Sequence, residues 1–155
     1  MNPDEITKAR GEVIESFINL ETLINAIISQ HYFKKVRQDF FFELLYNQSF
    51  NFGLRISILE KIVPEIDKNK VEKLRKLNAI RNYFAHCGPE VLPNKTTDVD
   101  KEKGRVPHPS DYQKTIDFDA LYREFIETEP EISAYLGEIF VKLRGTLLEK
   151  LPPRN

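Results

Sequence analysis

Apolar residues recur at three- and four-residue steps along nearly the whole chain. The first run shows the pattern most fully and consists of Ile6, Val13, Phe17, Leu20, Ile24 and Ile27. This spacing is the period of an α-helix that buries one face, and no stretch alternates strongly enough to build a sheet. Asn2 and Glu5 flank Pro3 in the pattern of a capping box, so the first helix is expected over about residues 4–33. The sequence therefore predicts an all-α bundle.

Further helices are expected over about residues 37–47, 54–64, 68–87 and 117–150, which gives five to six helices in all. Thr128–Glu131 has the pattern of a fresh capping box, so the last helix is expected to restart or bend there. Residues 88–116 are rich in proline and mixed charges and predict a long loop, or a small hairpin around Lys103–Gly104. We interpret residues 1–155 as one helical domain with this loop as an insertion.

Composition limits the classes of partner. The formal net charge of -1 gives no overall attraction for nucleic acid, so such a role requires a local basic patch. The single cysteine excludes an intramolecular disulfide and a cysteine-rich zinc site. No apolar run approaches the roughly 20 residues that span a bilayer. We expect a cytoplasmic protein with no membrane segment, no metal and no cofactor.

Two charged residues fall on apolar helix faces. Arg81 shares a face with Leu74, Leu77, Phe84 and Ala85, and Glu21 lies on the apolar stripe of the first helix. A charge in that position is costly unless it is paired or lies beside water. Two interpretations remain: a structural Glu21–Arg81 pair, or an Arg81 that lines a cleft or subunit interface and faces an anion.

The segment from Arg81 to His86 carries residue types that suit phosphodiester cleavage. Asn82 and His86 lie four residues apart and share a helix face, whereas Arg81 and His86 lie about 140° apart around the helix and flank a site. Histidine titrates near neutral pH, arginine binds phosphate, and an amide can orient the imidazole ring. This combination requires no metal.

Arg81-Asn82-Tyr83-Phe84-Ala85-His86 resembles the Arg-x4-His motif of the HEPN superfamily (higher eukaryotes and prokaryotes nucleotide-binding). The long first helix, a short helix around Phe52–Arg55 and the motif at the end of a later helix agree with that resemblance. It implies a helical bundle that dimerises, so that two motifs form one composite site. It also implies a metal-independent endoribonuclease, such as a phage-defence effector or a toxin paired with a nucleotidyltransferase-like antitoxin.

The resemblance also implies a role for each motif residue. His86 would act in general acid–base catalysis, Arg81 would hold the phosphate, and Asn82 would orient His86 or the phosphate. The products would be a 2′,3′-cyclic phosphate and a 5′-hydroxyl. Candidate RNA-binding residues form two basic groups, one after the first helix and one on the motif helix: Lys34 and Lys35, and Lys73, Arg75 and Lys76.

Two other functions stay open. The first is a non-catalytic HEPN-like module that binds nucleotides, RNA or a partner protein and keeps the motif for structure. The second is a small regulator that resembles the mannitol operon repressor group. An intact Arg81 and His86 favours the ribonuclease, whereas the near-neutral charge favours the alternatives.

Overall fold

A computed structural model of the chain describes residues 1–40, 43, 45, 47, 50–63, 65–86, 105–108 and 111–148. Within these ranges the chain forms five helices and one two-stranded antiparallel sheet. The all-α class is thereby confirmed, with the strands limited to a single hairpin. The elements in chain order are α1 (Pro3–Phe33), α2 (Gln38–Phe40), α3 (Phe52–Ile62), α4 (Lys68–His86), β1 (Arg105–His108), β2 (Asp111–Asp117) and α5 (Phe118–Leu148).

The capping box predicted at the start of α1 is confirmed. The Glu5 amide donates to Asn2 Oδ1 at 2.9 Å, and the Asn2 amide donates to Glu5 Oε2 at 2.7 Å. These two bonds satisfy amide groups that have no partner within the helix. The helix then continues to Phe33, and the next residue, Lys34, has a left-handed backbone with φ of 57°. This conformation is a common way to end a helix.

Short polar side chains begin the other long helices as well. Asn51 accepts from the Leu54 amide at 3.0 Å before α3. Asp67 accepts from the Asn69 amide at 2.8 Å before α4. Asp117, which the sequence predicts as a cap, accepts from the Ala120 amide at 3.0 Å before α5. Local hydrogen bonds therefore set the helix boundaries.

The second helix, expected over about residues 37–47, is described over Gln38–Phe40, and residues 41, 42, 44 and 46 lie outside the described part of the chain. Two other sequence predictions differ from the structure. The last helix does not restart at Thr128–Glu131, because α5 continues through Pro130 without interruption. The hairpin strands flank residues 109–110 rather than Lys103–Gly104. The loop expected over residues 88–104 lies outside the described residues.

The chain divides into two compact units. The first unit contains Met1–Ile18 and Lys76–Glu129, and the second contains Asn19–Arg75 and Pro130–Asn155. Each unit combines segments that are distant in sequence, and α1, α4 and α5 each contribute to both. The single domain expected over residues 1–155 stays a prediction.

Each unit has its own apolar core. In the first unit Phe84 meets Phe118 edge-on with 4.9 Å between the ring centroids. The other buried side chains of this core include Ile6, Val13, Phe17, Leu77, Ile80 and Phe125. The core of the second unit includes Leu20, Ile24, Ile27, Phe52, Ile56, Leu59, Leu74, Ile132 and Leu136.

None of the helices in the described part of the chain combines the length and apolar character that a membrane span requires.

Candidate functional site

Arg81 is held by two contacts in the last part of α4. Its Nη1 donates to Asn82 Oδ1 at 3.0 Å, and its guanidinium carbon lies 5.5 Å from the centroid of the Phe17 ring. The side chains of Arg81 and Asn82 are both half-buried. The predicted position of Arg81 against an apolar face agrees with this contact, although Ala85, expected on the same face, is exposed.

His86 is the last residue of α4, and its side chain is exposed. The expected hydrogen bond between Asn82 and His86 is absent from the described contacts, in which the Asn82 oxygen accepts from Arg81. The described contact of Asn82 is therefore with the arginine of the motif. The imidazole of His86 is left accessible to solvent and to a ligand.

The described contacts give Glu21 a partner other than Arg81. Arg55 of α3, which is 5% exposed, donates from Nη1 to Glu21 Oε1 at 3.4 Å and from Nε to Asn25 Oδ1 at 3.0 Å. It also donates from Nη2 to the Leu45 carbonyl. Sequence analysis missed Arg55, although it lies between Phe52 and Leu59 on the buried face of α3. The sequence could have identified Arg55, because it is a charged residue at the helical spacing of the buried positions.

Arg10 was also missed. In the described part of the chain its Nε and Nη2 atoms are buried and have no hydrogen-bond partner. The residue belongs to the same three- and four-residue series as Ile6, Val13 and Phe17, which are all buried. The helical period therefore marks Arg10 as a charge on the core-facing side of α1.

The basic residues predicted on α4 are paired with carboxylates. Lys73 donates to Glu131 Oε2 at 2.6 Å, Arg75 donates to Glu60 Oε2 at 3.0 Å, and Lys76 pairs with Glu124. Lys70 shares Glu131 with Lys73. These hydrogen bonds hold the pKa of the Glu131 carboxyl at about 2, well below its ordinary value. Charges that are already paired attract RNA phosphates weakly.

The basic residues after α1 have a different environment. Lys34 and Lys35 are exposed, and neither forms an ion pair with a described residue. They follow Tyr32, whose side chain is 59% exposed. Buried Ser29 fixes this turn, because its Oγ accepts from the Arg37 amide at 3.0 Å and donates to the Lys35 carbonyl at 3.2 Å. We call Tyr32–Lys35 the α1 tip.

The second unit also contains a cavity of about 460 Å³. Apolar side chains from the end of α3 and from α5 line it, together with Glu65 and Lys142, whose charged groups lie 3.8 Å apart. No residue of the Arg81–His86 motif lines this cavity. Sequence analysis did not predict it.

Comparisons with known proteins supply no relative: no family model, no curated protein and no solved structure matches the chain.

Proposed function

We propose that this protein is a metal-independent endoribonuclease of HEPN type that acts as a homodimer. The observation that carries the proposal is the arrangement at the end of α4. Asn82 and Phe17 orient the half-buried Arg81, and the exposed His86 follows five residues later. A fixed guanidinium and an accessible imidazole near the end of one helix are suited to phosphodiester chemistry, because together they supply charge stabilisation and proton transfer.

The proposed reaction begins when neutral His86 takes the proton of an RNA 2′-hydroxyl. The 2′-oxygen attacks the adjacent phosphorus, an O2′–P bond forms, and the P–O5′ bond breaks. Arg81 stabilises the negative charge that develops on the non-bridging phosphate oxygens. Hydrogen bonds from a guanidinium to an anionic oxygen are stronger than hydrogen bonds between neutral groups. The leaving 5′-oxygen takes a proton from a protonated imidazole. The products are a 2′,3′-cyclic phosphate and a 5′-hydroxyl.

A dimer supplies the second imidazole. Each chain contributes one motif histidine, and the reaction requires one imidazole that accepts a proton and another that donates one. In the proposed composite site, His86 of the partner subunit protonates the leaving group. By the same resemblance, the ribonuclease is a toxin with a nucleotidyltransferase-like antitoxin or a phage-defence component, and an RNA substrate implies a cytoplasmic location.

A second candidate function is a non-catalytic module that binds RNA, nucleotides or protein. The paired state of Lys73, Arg75 and Lys76 favours it, because an enzyme that acts on RNA usually draws affinity from unpaired basic residues. The α1 tip is the basic group that retains free charge in the described part of the chain. Binding without cleavage is the expected behaviour of this alternative.

The test is a cleavage assay on a mixed single-stranded and structured RNA pool in the presence of EDTA. We expect wild type to leave cyclic phosphate ends and His86→Ala to lose cleavage. Arg81→Ala is expected to lose activity by about 100-fold or more, which is the usual cost of removing one transition-state donor. His31→Ala is the matched control, because His31 is an exposed histidine in the last turn of α1.

Equal cleavage by wild type and His86→Ala would contradict the ribonuclease, as would a requirement for divalent metal. Light scattering at micromolar concentration tests the composite site, since an active monomer would exclude it. Binding of the RNA pool without cleavage by a confirmed dimer would favour the non-catalytic module.

A further inference from the structure

The cavity of the second unit has the size and the apolar wall of a small-molecule site. Its volume of about 460 Å³ lies within the range of roughly 300–1,000 Å³ that ligand pockets occupy. Ile62 of α3 and Ile139 and Leu143 of α5 contribute apolar side chains to its wall. Contact between water and apolar surface is unfavourable, so an apolar group that replaces the water is stabilised there. The cavity is therefore expected to take the apolar part of a ligand.

Hydrogen bonds fix the wall of the cavity in the free protein. Tyr135 of α5 is half-buried in the wall, and its hydroxyl oxygen accepts from the Asp67 amide at 2.9 Å. At the end of α3 the Val63 amide donates to the Leu59 carbonyl at 3.0 Å, and the Val63 carbonyl accepts from the Ile66 amide at 3.0 Å. A wall that is already ordered lowers the conformational cost of binding a ligand.

The charged side chains that line the cavity are mainly acidic. Glu65, Glu138 and Lys142 are all exposed, so they stand where the cavity opens to solvent. The charged groups of Lys142 and Glu65 lie 3.8 Å apart, and the two side chains are 80% and 89% exposed, which makes this ion pair weak. Two carboxylates and one ammonium group leave one negative charge at the opening. A cation is the ligand charge that complements it.

We propose that this cavity binds a small organic cation that carries an ammonium group on an apolar chain or ring. The apolar part lies against Ile139 and Leu143, and the ammonium group meets the carboxylates of Glu65 and Glu138. Hydrogen bonds from an ammonium group to a carboxylate are stronger than those between neutral groups. The proposed site does not depend on the ribonuclease function, because no residue of the Arg81–His86 motif lines the cavity.

The test is isothermal titration calorimetry on the full chain at pH 7 with three probes. Octylammonium has both the cation and the apolar chain, and its Kd is expected to be on the order of 0.1 mM. Ethylammonium keeps the cation without the long chain and is expected to bind at least about 10-fold more weakly. Octanoate keeps a long chain with the opposite charge and is expected to bind at least about 5-fold more weakly.

Substitutions at the opening test the position of the cation. Glu65→Gln with Glu138→Gln is expected to raise the Kd of octylammonium by about 5-fold or more. Lys142→Gln is expected to lower it by about 2-fold or more, because the competing ammonium group is removed. Glu72→Gln with Glu127→Gln is the matched control, since it removes the same charge at two exposed glutamates that do not line the cavity. It is expected to change the Kd by less than about 2-fold.

A bulky side chain in the wall tests the position of the apolar part. Leu143→Trp is expected to fill part of the cavity and to raise the Kd of octylammonium by about 10-fold or more. Val141→Trp is the matched control, because Val141 is 68% exposed on the same helix and does not line the cavity. Where Leu143→Trp fails to fold, the substitutions at the exposed charged positions keep the test decisive.

Three outcomes would overturn the proposal. Octanoate that binds as tightly as octylammonium would remove the cation and leave a site for apolar guests of either charge. No saturable binding of octylammonium up to about 10 mM would remove the cavity as a ligand site. A wild-type Kd in both the two-glutamine variant and folded Leu143→Trp would place the bound octylammonium elsewhere. His86→Ala is expected to keep the wild-type Kd, so failure of the ribonuclease would leave these results unchanged.

Discussion

The guanidinium carbon of Arg81 lies 5.5 Å from the centroid of the Phe17 ring, so a core residue of α1 supports the motif carried by α4. The face of an aromatic ring attracts a cation and is apolar, which keeps water from one side of the guanidinium. Asn82 fixes Nη1 at the same time. Arg81 therefore has a defined orientation in the free protein, which reduces the reorganisation needed when a phosphate binds.

This relationship predicts a measurable coupling between the two residues. In a double-mutant cycle with Phe17→Leu and Arg81→Met, we expect a coupling of about 0.5–2 kcal/mol in the free energy of unfolding. Leucine keeps an apolar side chain at the position but removes the aromatic face. Urea unfolding of the four proteins gives the value.

The matched cycle uses Phe125→Leu with Arg81→Met. Phe125 is also buried in the first unit, at 2% exposure, and no cation lies over its ring among the described contacts. These two substitutions are expected to add within about 0.5 kcal/mol. Equal coupling in both cycles would show that Arg81 responds to general loosening of the core and not to the Phe17 ring.

The Glu21–Arg55 pair predicts an asymmetric response to substitution. Glu21→Gln removes a carboxylate from the nearly buried Arg55 cation and is expected to cost about 3 kcal/mol of unfolding free energy. Adding Arg55→Met removes that cation, so the double variant is expected to be more stable than Glu21→Gln alone. Urea unfolding at pH 7 measures both differences.

Glu15→Gln provides the control, because Glu15 is an exposed glutamate of α1. It is expected to change the unfolding free energy by no more than about 0.5 kcal/mol. A double variant less stable than both single variants would contradict the buried-charge argument. It would then show that the hydrogen bonds to Asn25 and the Leu45 carbonyl outweigh the cost of the charge.

The lowered pKa of the Glu131 carboxyl predicts a contribution to folding stability that depends on pH. Hydrogen bonds from Lys70 and then Lys73 lower the pKa of its carboxyl from 4.5 to about 2 in the folded protein. A carboxyl with a lower pKa when folded stabilises the fold above its unfolded pKa, and this effect is lost as the pH falls through the folded value. Glu131→Gln is therefore expected to lower the urea midpoint at pH 7. The difference from wild type should shrink between pH 4.5 and about 2.

The control for this comparison is Glu127→Gln, which neutralises an exposed glutamate one helical turn earlier on α5. We expect its difference from wild type to be small at every pH. The Glu131 effect should also weaken in 1 M salt, where the Debye length is about 3 Å. A difference that stays constant with pH would assign the effect of Glu131→Gln to packing.

Local interactions explain which parts of the fold could be predicted. The capping box of Asn2 and Glu5 and the cap at Asp117 depend on residues within three positions, so the sequence contains all the information they need. Of the restart or bend expected at Thr128–Glu131, the restart was wrong, because α5 continues through Pro130. A proline removes one helical hydrogen bond, and a local pattern cannot show whether a long helix continues past that loss.

Pairing of charges depends on the tertiary arrangement and was therefore harder to predict. Helical periodicity correctly marked Glu21 and Arg81 as unusual, but it cannot say which cation meets which carboxylate, and Arg55 proved to be the partner of Glu21. The same limit applied to Lys73 and Lys76, whose neutralisation by glutamates of α5 requires the fold. Arg10 was available from spacing alone, since it interrupts the apolar series of α1.

The α1 tip predicts a salt-dependent contribution to RNA affinity. Lys34 and Lys35 are exposed, and Tyr32 beside them offers a ring on which a base can stack. Lys34→Glu with Lys35→Glu is expected to reduce the slope of log K against log salt by about 1.4, the value for two lost phosphate contacts on a single strand. Lys61→Glu with Lys68→Glu makes the same change in net charge at two other exposed lysines. An equal fall in slope for both pairs would assign the effect to net charge and remove the α1 tip as an RNA contact.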